Sequence, residues 1–410
     1  MTLSTFRGYA GTSRMTSALG MFAILLLLYA VNAMDRNLFF VLTTDIRKAL
    51  NLSLPEIGLA STIFTLGMGA AGVPAGFLLA KLSRKGVAIL GTVVFSGATL
   101  YTAFVSGLHD LLLCRFVTGV GEAMQLTAIL AIGTTYFANN RALAASSMNF
   151  VFGIGATIGP NLGAAILHFG DWQMPFVVFG LAGIPFLFAT IFLVRSWFSE
   201  LEASEEGPVV ATRAGVPNTL FSARPLLLGA ATVFAGLSLF GYLGLYSSFL
   251  REQVGFTAQE AALALGCYGS GALVAVVGGW LGDRYDYLKL LQYAFLAAAV
   301  IGGGLFTELG HSLVAHLALS VLFGVIMTSM LYVNLSSAII KSVTRNKAAQ
   351  ASGLFVTALY TPGAFAGYLL GLLKTELGWM TAGLVQVSGC AILGAVLCIA
   401  ANRVQSRQFA

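Results

Sequence analysis

The chain has 410 residues, of which 58% are hydrophobic and 9% charged, with 22 Lys and Arg against 16 Asp and Glu. A water-soluble domain carries about 25% charged residues, so this composition excludes one, and a mean hydropathy of +0.87 sets the chain in a lipid bilayer. The net charge of +6 does not point to a nucleic-acid partner, because the basic residues sort by topology instead of gathering on one surface.

A helix crosses a bilayer with about 20 apolar residues. Runs of that kind predict twelve spans, at 20–45, 56–80, 87–106, 111–137, 143–167, 174–194, 226–249, 258–281, 290–308, 312–340, 349–373 and 380–401. The first run continues through a charged pair into a full-length span, so it is not read as a cleaved signal peptide. Connections are short except at 195–225, where "RSWFSELEASEEGPVVATRAGVPN" collects acidic residues, Pro, Gly and Ser and loses apolar periodicity. That pattern predicts a solvated linker. It divides the chain into an N-terminal six-helix bundle (1–194) and a C-terminal one (226–410). Sixteen Lys and Arg fall on the side of the termini and the linker, and four (Arg47, Lys48, Arg251 and Lys374) on the other. Positive segments stay cytoplasmic, which predicts a multi-pass protein of the cell inner membrane with both termini inside. Cys114, Cys267, Cys390 and Cys398 fall in spans without CxxC spacing and read as buried, reduced and structural.

The two halves repeat one plan. "GFLLAKLSRKG" (76–86) answers to "GWLGDRYDYLK" (279–289) at an offset of 203, "NRALAAS" (140–146) to "NKAAQAS" (346–352), and Pro160 to Pro362 at an offset of 202. Two facing six-helix bundles with a central cavity, working by alternating access, is what such a repeat predicts.

Only four charged residues sit well inside the spans: Asp35 and Arg36 in the first, Arg115 and Glu122 in the fourth. An ionisable group at membrane depth costs at least about 2.5–3.5 kcal/mol, so each needs a partner and a purpose. At 1.5 Å per residue, Asp35 and Arg115 fall at similar depth, roughly 6–8 Å from the outer face, and Glu122 roughly 16 Å below it. Depth therefore pairs Asp35 with Arg115. Residues 115, 119 and 122 share one helical face, and Gly119 and Gly121 leave room for a neighbouring helix. Burial disfavours a carboxylate's charged form and a nearby arginine restores it, so moving the arginine moves a proton. Asp35 and Glu122 are accordingly expected to bind protons. Arg36 and Arg115 are expected to act as their switches or as anchors for an anionic substrate. The alternatives are ion pairs that only fix packing and, for Arg36, a side chain turned to solvent.

Asn334 in the tenth span, Tyr242 and Tyr246 in the seventh and Tyr360 in the eleventh are expected to offer hydrogen bonds to the cavity, with packing as the alternative. His316 reads as an interface histidine near the outer end of its span.

Several motifs resemble those of the major facilitator superfamily. "GWLGDRYDYLK", with Gly279, Asp283 and Arg284, looks like its cytoplasmic loop signature, and "RFVTGVGEA", with Arg115, Gly119, Gly121 and Glu122, like its fourth-helix motif. "NAMDRN" (32–37) beside that motif is similar to the spinster-like transporters and, more loosely, to the organic anion:cation symporters. "GATIGPNLGA" (155–164) resembles the fifth-helix motif of superfamily exporters, with Gly159 and Pro160 permitting a kink and close contact; Ser146 and Ala164 depart from it. The first loop also departs, with Ala80 and Lys81 where an Asp-Arg pair is expected and Ser83 in place of a glycine.

The resemblance implies an all-α membrane protein with twelve transmembrane helices in two pseudo-symmetric bundles. It implies a cytoplasmic gate at Asp283 and Arg284, with Arg84 and Lys85 as the remaining charges of the first-loop copy. The expected function is proton-coupled secondary transport of an organic anion or a lysolipid-like amphiphile. The alternatives are a drug or metabolite exporter by proton antiport, an uncoupled facilitator and a non-transporting receptor. No nucleophile–base pairing, metal-ligand cluster or phosphate loop suggests an enzyme. The expected partners are a small-molecule or lipid-like substrate and membrane lipids around a monomer, with H⁺ as coupling ion and no metal or other cofactor.

Overall fold

A computed structural model describes residues 3–137, 141–201, 219–344 and 347–408. Among them all regular structure is helical. Ten helices are long and apolar enough to cross a membrane, and the bent pair Ala258–Leu273 and Ala275–Arg284 makes an eleventh span. The twelfth lies inside the 55-residue run Gln350–Val404. At 1.5 Å per residue such a run would reach about 80 Å, more than twice the hydrocarbon thickness of about 30 Å. It divides at Gly378, whose φ of 78° and ψ of 168° break the helix in a conformation that only glycine adopts readily.

The N-half therefore comprises α1 (Leu3–Ala49), α2 (54–81, interrupted at Ile63), α3 (Arg84–Thr102), α4 (Leu108–Tyr136), α5 (Arg141–Leu167) and α6 (Gln173–Leu193). The C-half comprises α7 (Ala223–Val254), α8 (258–284, broken at Val274), α9 (Tyr287–Leu305), α10 (Leu313–Lys341), α11 (348–377) and α12 (379–408). An even number of spans puts both ends of the chain on one face, here the terminal face. The turns at 50–53 and 255–257 lie on the opposite, distal face.

Lipid gives no hydrophobic drive between helices, so close backbone approach holds them together. A side chain at Gly119 of α4 would strike the Phe64 carbonyl of α2, and one at Gly121 would strike Phe95 and Gly91 of α3. Gly159 of α5 abuts Met34 of α1 in the same way. All three glycines lie where a neighbouring backbone comes too close for a side chain. The helix of α5 runs unbroken through Pro160, whereas α11 is interrupted at Ala364 and Phe365, just after Pro362.

The repeat extends further than the quoted motifs. Ser53 and Glu56 form a capping box at the start of α2, and Thr257 and Glu260 form its counterpart at α8, 204 residues on. The residues two positions earlier, Asn51 and Gly255, both have positive φ.

Three expectations need correction. The eighth span is two helices bent by 45°, not one. The last two spans are separated by a single glycine rather than a loop. The linker is not solvated from its first residue: Ser196–Ser199 is a helical turn with Phe198 and Ser199 buried, and the Phe198 ring lies 4.8 Å from that of Tyr136. Packing an aromatic residue under the bundle outweighs solvation of a short polar stretch. Residues 202–218 of the linker lie outside the described residues. Cys114, Cys390 and Cys398 are buried, Cys267 is half-buried, and all four are free thiols.

Candidate functional site

All four intramembrane charges are buried, but they do not pair as depth suggested. Arg36 Nε donates to Glu122 Oε2 at 2.9 Å, linking α1 to α4. Asp35 instead accepts from Thr99 Oγ1 of α3 at 2.7 Å. Arg115 forms no ion pair within 4.0 Å among the described residues; its guanidinium lies over the rings of Phe39 and Phe64, 4.4 and 5.0 Å from their centroids. The reason is angular. Neighbouring residues on a helix point about 100° apart, so α1 sends Asp35 towards α3 and Arg36 towards α4, and shared depth does not bring Asp35 to Arg115.

The cluster is incompletely satisfied. Asp35 Oδ1, Glu122 Oε1, Arg115 Nε and Nη2, Asn32 Nδ2 and Gln125 Oε1 are buried without a protein partner. A rigid core seldom tolerates so many orphaned polar atoms. Two cations and two anions leave it formally neutral.

Beside it lies a cavity of about 290 Å³, walled by both halves. Arg36 is the one cluster member on its wall. Of that guanidinium, Nε is held by Glu122 and Nη2 reaches Asn32 Oδ1 at 3.4 Å, while Nη1 has no acceptor among the described residues. The rings of Phe152 and Phe64 flank it at 5.5 and 5.9 Å. The expectation that Arg36 could turn to solvent is thus corrected, since it is 7% exposed.

The cavity reaches Leu130 and Ala145, close to the terminal face, and stops distally at Phe40 and Phe64. Beyond those rings the halves are tied together. Arg251 of α7 grips Asp45 of α1 with both Nη atoms, Nη2 to Oδ1 at 2.9 Å, and Arg47 meets Glu252 at 2.8 Å. Deeper, the Thr43 and Ser248 hydroxyls are 3.0 Å apart, Thr62 donates to the Ala364 carbonyl at 2.7 Å, and Gly58 and Gly367 bring α2 and α11 into backbone contact. Arg47 and Arg251 read from sequence only as outer charges. Each acid, Asp45 or Glu252, sits within two residues of the arginine on its own helix and pairs with the arginine of the other half, and these acids were the missed signal.

The charges expected to form a gate stay within their own halves. Asp283 accepts from Lys341 Nζ at 2.9 Å, and Arg284 lies over Trp280 at 5.2 Å. The amides of Arg84 and Lys85 donate to the Glu200 carboxylate at 2.8 and 3.1 Å. Lys85 Nζ also donates to the Ile191 and Val194 carbonyls, both at 2.7 Å. The linker thus supplies the acid that the first loop lacks, and its carboxylate sits where a helix N-terminus favours one.

Of the four residues expected to line the cavity, Tyr360 does and three do not. Tyr242 donates to Ser320 at 3.1 Å, and the Tyr246 hydroxyl is 3.0 Å from His316 Nδ1. Both face α10, while Leu239, Phe240 and Leu243 carry the cavity face of α7. His316 is buried in the protein near the Leu313 end of its span. Asn334 donates to the Gly278 carbonyl at 3.1 Å and the Met330 carbonyl at 2.9 Å, fastening α10 to α8. Sequence reasoning missed Tyr29, Tyr268 and Tyr332, which stand on the wall; a tyrosine inside an apolar run was the only available signal.

Twelve spans around a cavity closed on one face define a polytopic membrane protein of the transporter class. Residues 25–368 match the family model of the Major Facilitator Superfamily, and the chain belongs to that superfamily, as its motifs implied; it is a transporter and not an enzyme. It is 25% identical over 301 residues to a probable sulfoacetate transporter of Cupriavidus necator, covering 69% of this chain and 70% of that one. A 4-hydroxybenzoate transporter of Acinetobacter baylyi is 25% identical over 257 residues, and the match spans 54% of this chain and about half (55%) of the relative. A bacterial homolog to the human lysosomal transporter Spinster, solved in an inward-facing and unoccupied conformation, superposes with a TM-score of 0.72 at 18% identity, over 96% of this chain and 98% of that one. That likeness is one of fold.

Proposed function

We propose that this chain carries a compact organic anion together with a proton by alternating access. The observation that carries the reading is Arg36, whose guanidinium is bound to Glu122 and whose side chain stands on the cavity wall. A carboxylate or sulfonate entering the cavity competes for Arg36, since a guanidinium is the preferred cation for both. Glu122 then loses its partner in a dry site. Adding one negative charge to a neutral cluster leaves it uncompensated, and a proton on Glu122 restores neutrality. Anion and proton thus bind together, and anion affinity rises as pH falls while the ligand itself stays ionised.

Two relatives of the chain are named for carrying sulfoacetate and 4-hydroxybenzoate, which favours an organic anion. A cavity of about 290 Å³ suits such a ligand better than a lysolipid, whose acyl chain would have to leave between helices. Sorting of Lys and Arg supports a cytoplasmic terminal face. On that orientation the distal ties close the outer side, and the protein faces inward.

The test is uptake of labelled organic anions by proteoliposomes carrying the purified protein. An imposed pH gradient, acidic on the side of entry, is expected to drive accumulation above equilibrium. Uptake that merely equilibrates, whatever the gradient, contradicts the coupling.

A further inference from the structure

The proposed reading leaves open which organic anion fits and how the C-half recognises it. Among the described residues Arg36 is the one cation on the cavity wall, no carboxylate lies there, and eight of the lining residues are aromatic. Four of those are tyrosines: Tyr29 of α1, Tyr268 of α8, Tyr332 of α10 and Tyr360 of α11. All four share that wall with Arg36. Tyrosines from four helices therefore face the same cavity as one arginine, three of them from the opposite half.

We infer that the anionic head of the substrate sits between Arg36 Nη1 and the hydroxyls of Tyr332 and Tyr360, with an aromatic body against Phe64 and Phe240, so that the site selects aromatic monocarboxylates over sugar acids. This rests on the organic-anion reading above and sharpens it. A carboxylate offers about four lone-pair sites, and Arg36 has one free nitrogen to fill them. Phenol hydroxyls donating to an anion make charge-assisted bonds, so the head gains full coordination only when both halves contribute. Binding the head then draws the halves together around it, which gives the ligand a differential affinity for the closing conformation.

The body meets a different surface. Phe40 and Phe64 are 6.1 Å apart, Phe64 and Phe240 6.3 Å, and Phe240 and Tyr360 5.8 Å, a chain of rings that crosses from one half to the other. Another ring joins such a chain edge-on or offset. Apart from the tyrosines and Arg36, a sugar acid's hydroxyls meet only three polar side chains among the described lining residues, Asn37, Asn149 and Thr328. Asn37 already spends its amide on the Ala33 carbonyl at 2.8 Å, and Thr328 its hydroxyl on the Gly324 carbonyl at 2.7 Å. Buried hydroxyls without partners weaken binding.

The experiment is ligand-induced thermal stabilisation of the purified full chain by benzoate, cyclohexanecarboxylate and glucuronate at one pH, with Arg36→Gln, Tyr332→Phe and Tyr360→Phe alongside the wild type. Benzoate is expected to stabilise most and glucuronate least. Each Tyr→Phe change is expected to weaken benzoate about tenfold while leaving the unliganded melting temperature unmoved, which a merely structural hydroxyl would not do. Glucuronate or cyclohexanecarboxylate matching benzoate overturns the aromatic selectivity, and unchanged benzoate affinity in both tyrosine variants overturns the shared head site. If any anion still stabilises the wild type but not Arg36→Gln, the organic-anion reading survives those failures; if none of the three does, both readings fall.

Discussion

The two halves share one plan and spend it differently. The N-half buries Asp35, Arg36, Arg115 and Glu122 among helices locked glycine to carbonyl, as at Gly119 against Phe64. Among the described residues the C-half sets no charge at cavity depth, and it breaks two helices there where the N-half interrupts one, α2 at Ile63 beside Phe64. Its α8 is interrupted at Val274, between the cavity residues Ala272 and Ala275. The π-helical stretch Val325–Tyr332 of α10 brings Met327, Thr328 and Tyr332 to the wall. Irregular backbone survives at membrane depth only where it lines a cavity or is buried in protein, and π-turns gather at functional sites. Buried charge needs a stiff frame to keep its partners in place, whereas the half that must follow the ligand can afford looser turns. The contrast assigns charge bookkeeping to one lobe and adaptation to the other.

The largest break in that contrast is expected from Arg36→Ala. It leaves Glu122 buried without its cation, which costs roughly 3–5 kcal/mol, and anion uptake by proteoliposomes is expected to vanish. Arg36→Gln with Glu122→Gln removes both charges and is expected to recover most of the melting temperature but none of the uptake. Next comes the stiffness of the frame. Gly119→Ala drives a methyl into the Phe64 carbonyl and is expected to cost about 1–3 kcal/mol, while Gly353→Ala, which meets nothing within 4 Å, is expected to stay within about 0.5 kcal/mol of the wild type; thermal unfolding separates them.

Smaller effects belong to the ties between halves. Arg251→Gln frees Asp45 at a cost of about 1 kcal/mol or less, and its clearer expected signature is faster alkylation of a cysteine placed at Phe40, just behind the distal closure. Least of all, Lys341→Gln releases Asp283, a pair with its acid 76% exposed, and is expected to change neither stability nor uptake measurably.

Much of this was legible in the sequence because a charge inside an apolar run is conspicuous. Asp35, Arg36, Arg115 and Glu122 could be named, and Gly119, Gly121 and Gly159 fell where close contacts occur. Their partners could not. Distance along a helix fixes depth, but direction around it depends on neighbours that the sequence does not place, so Glu122 was not matched to Arg36 and Asp35 was matched wrongly. The same ambiguity sent Tyr242 and Tyr246 to the cavity when they share the α10 face of α7. The capping boxes at Ser53 and Thr257 show the reverse case, a local signal that was present and went unread.

The central claim is that Arg36 exchanges Glu122 for the incoming anion and that Glu122 then takes a proton. Counting protons taken up per anion bound, by the wild type and by Glu122→Gln in weakly buffered solution, tests it most directly. The account predicts close to one proton per anion for the wild type, and none for Glu122→Gln, which keeps Arg36 and still binds the anion. Equal proton uptake by both proteins would contradict it.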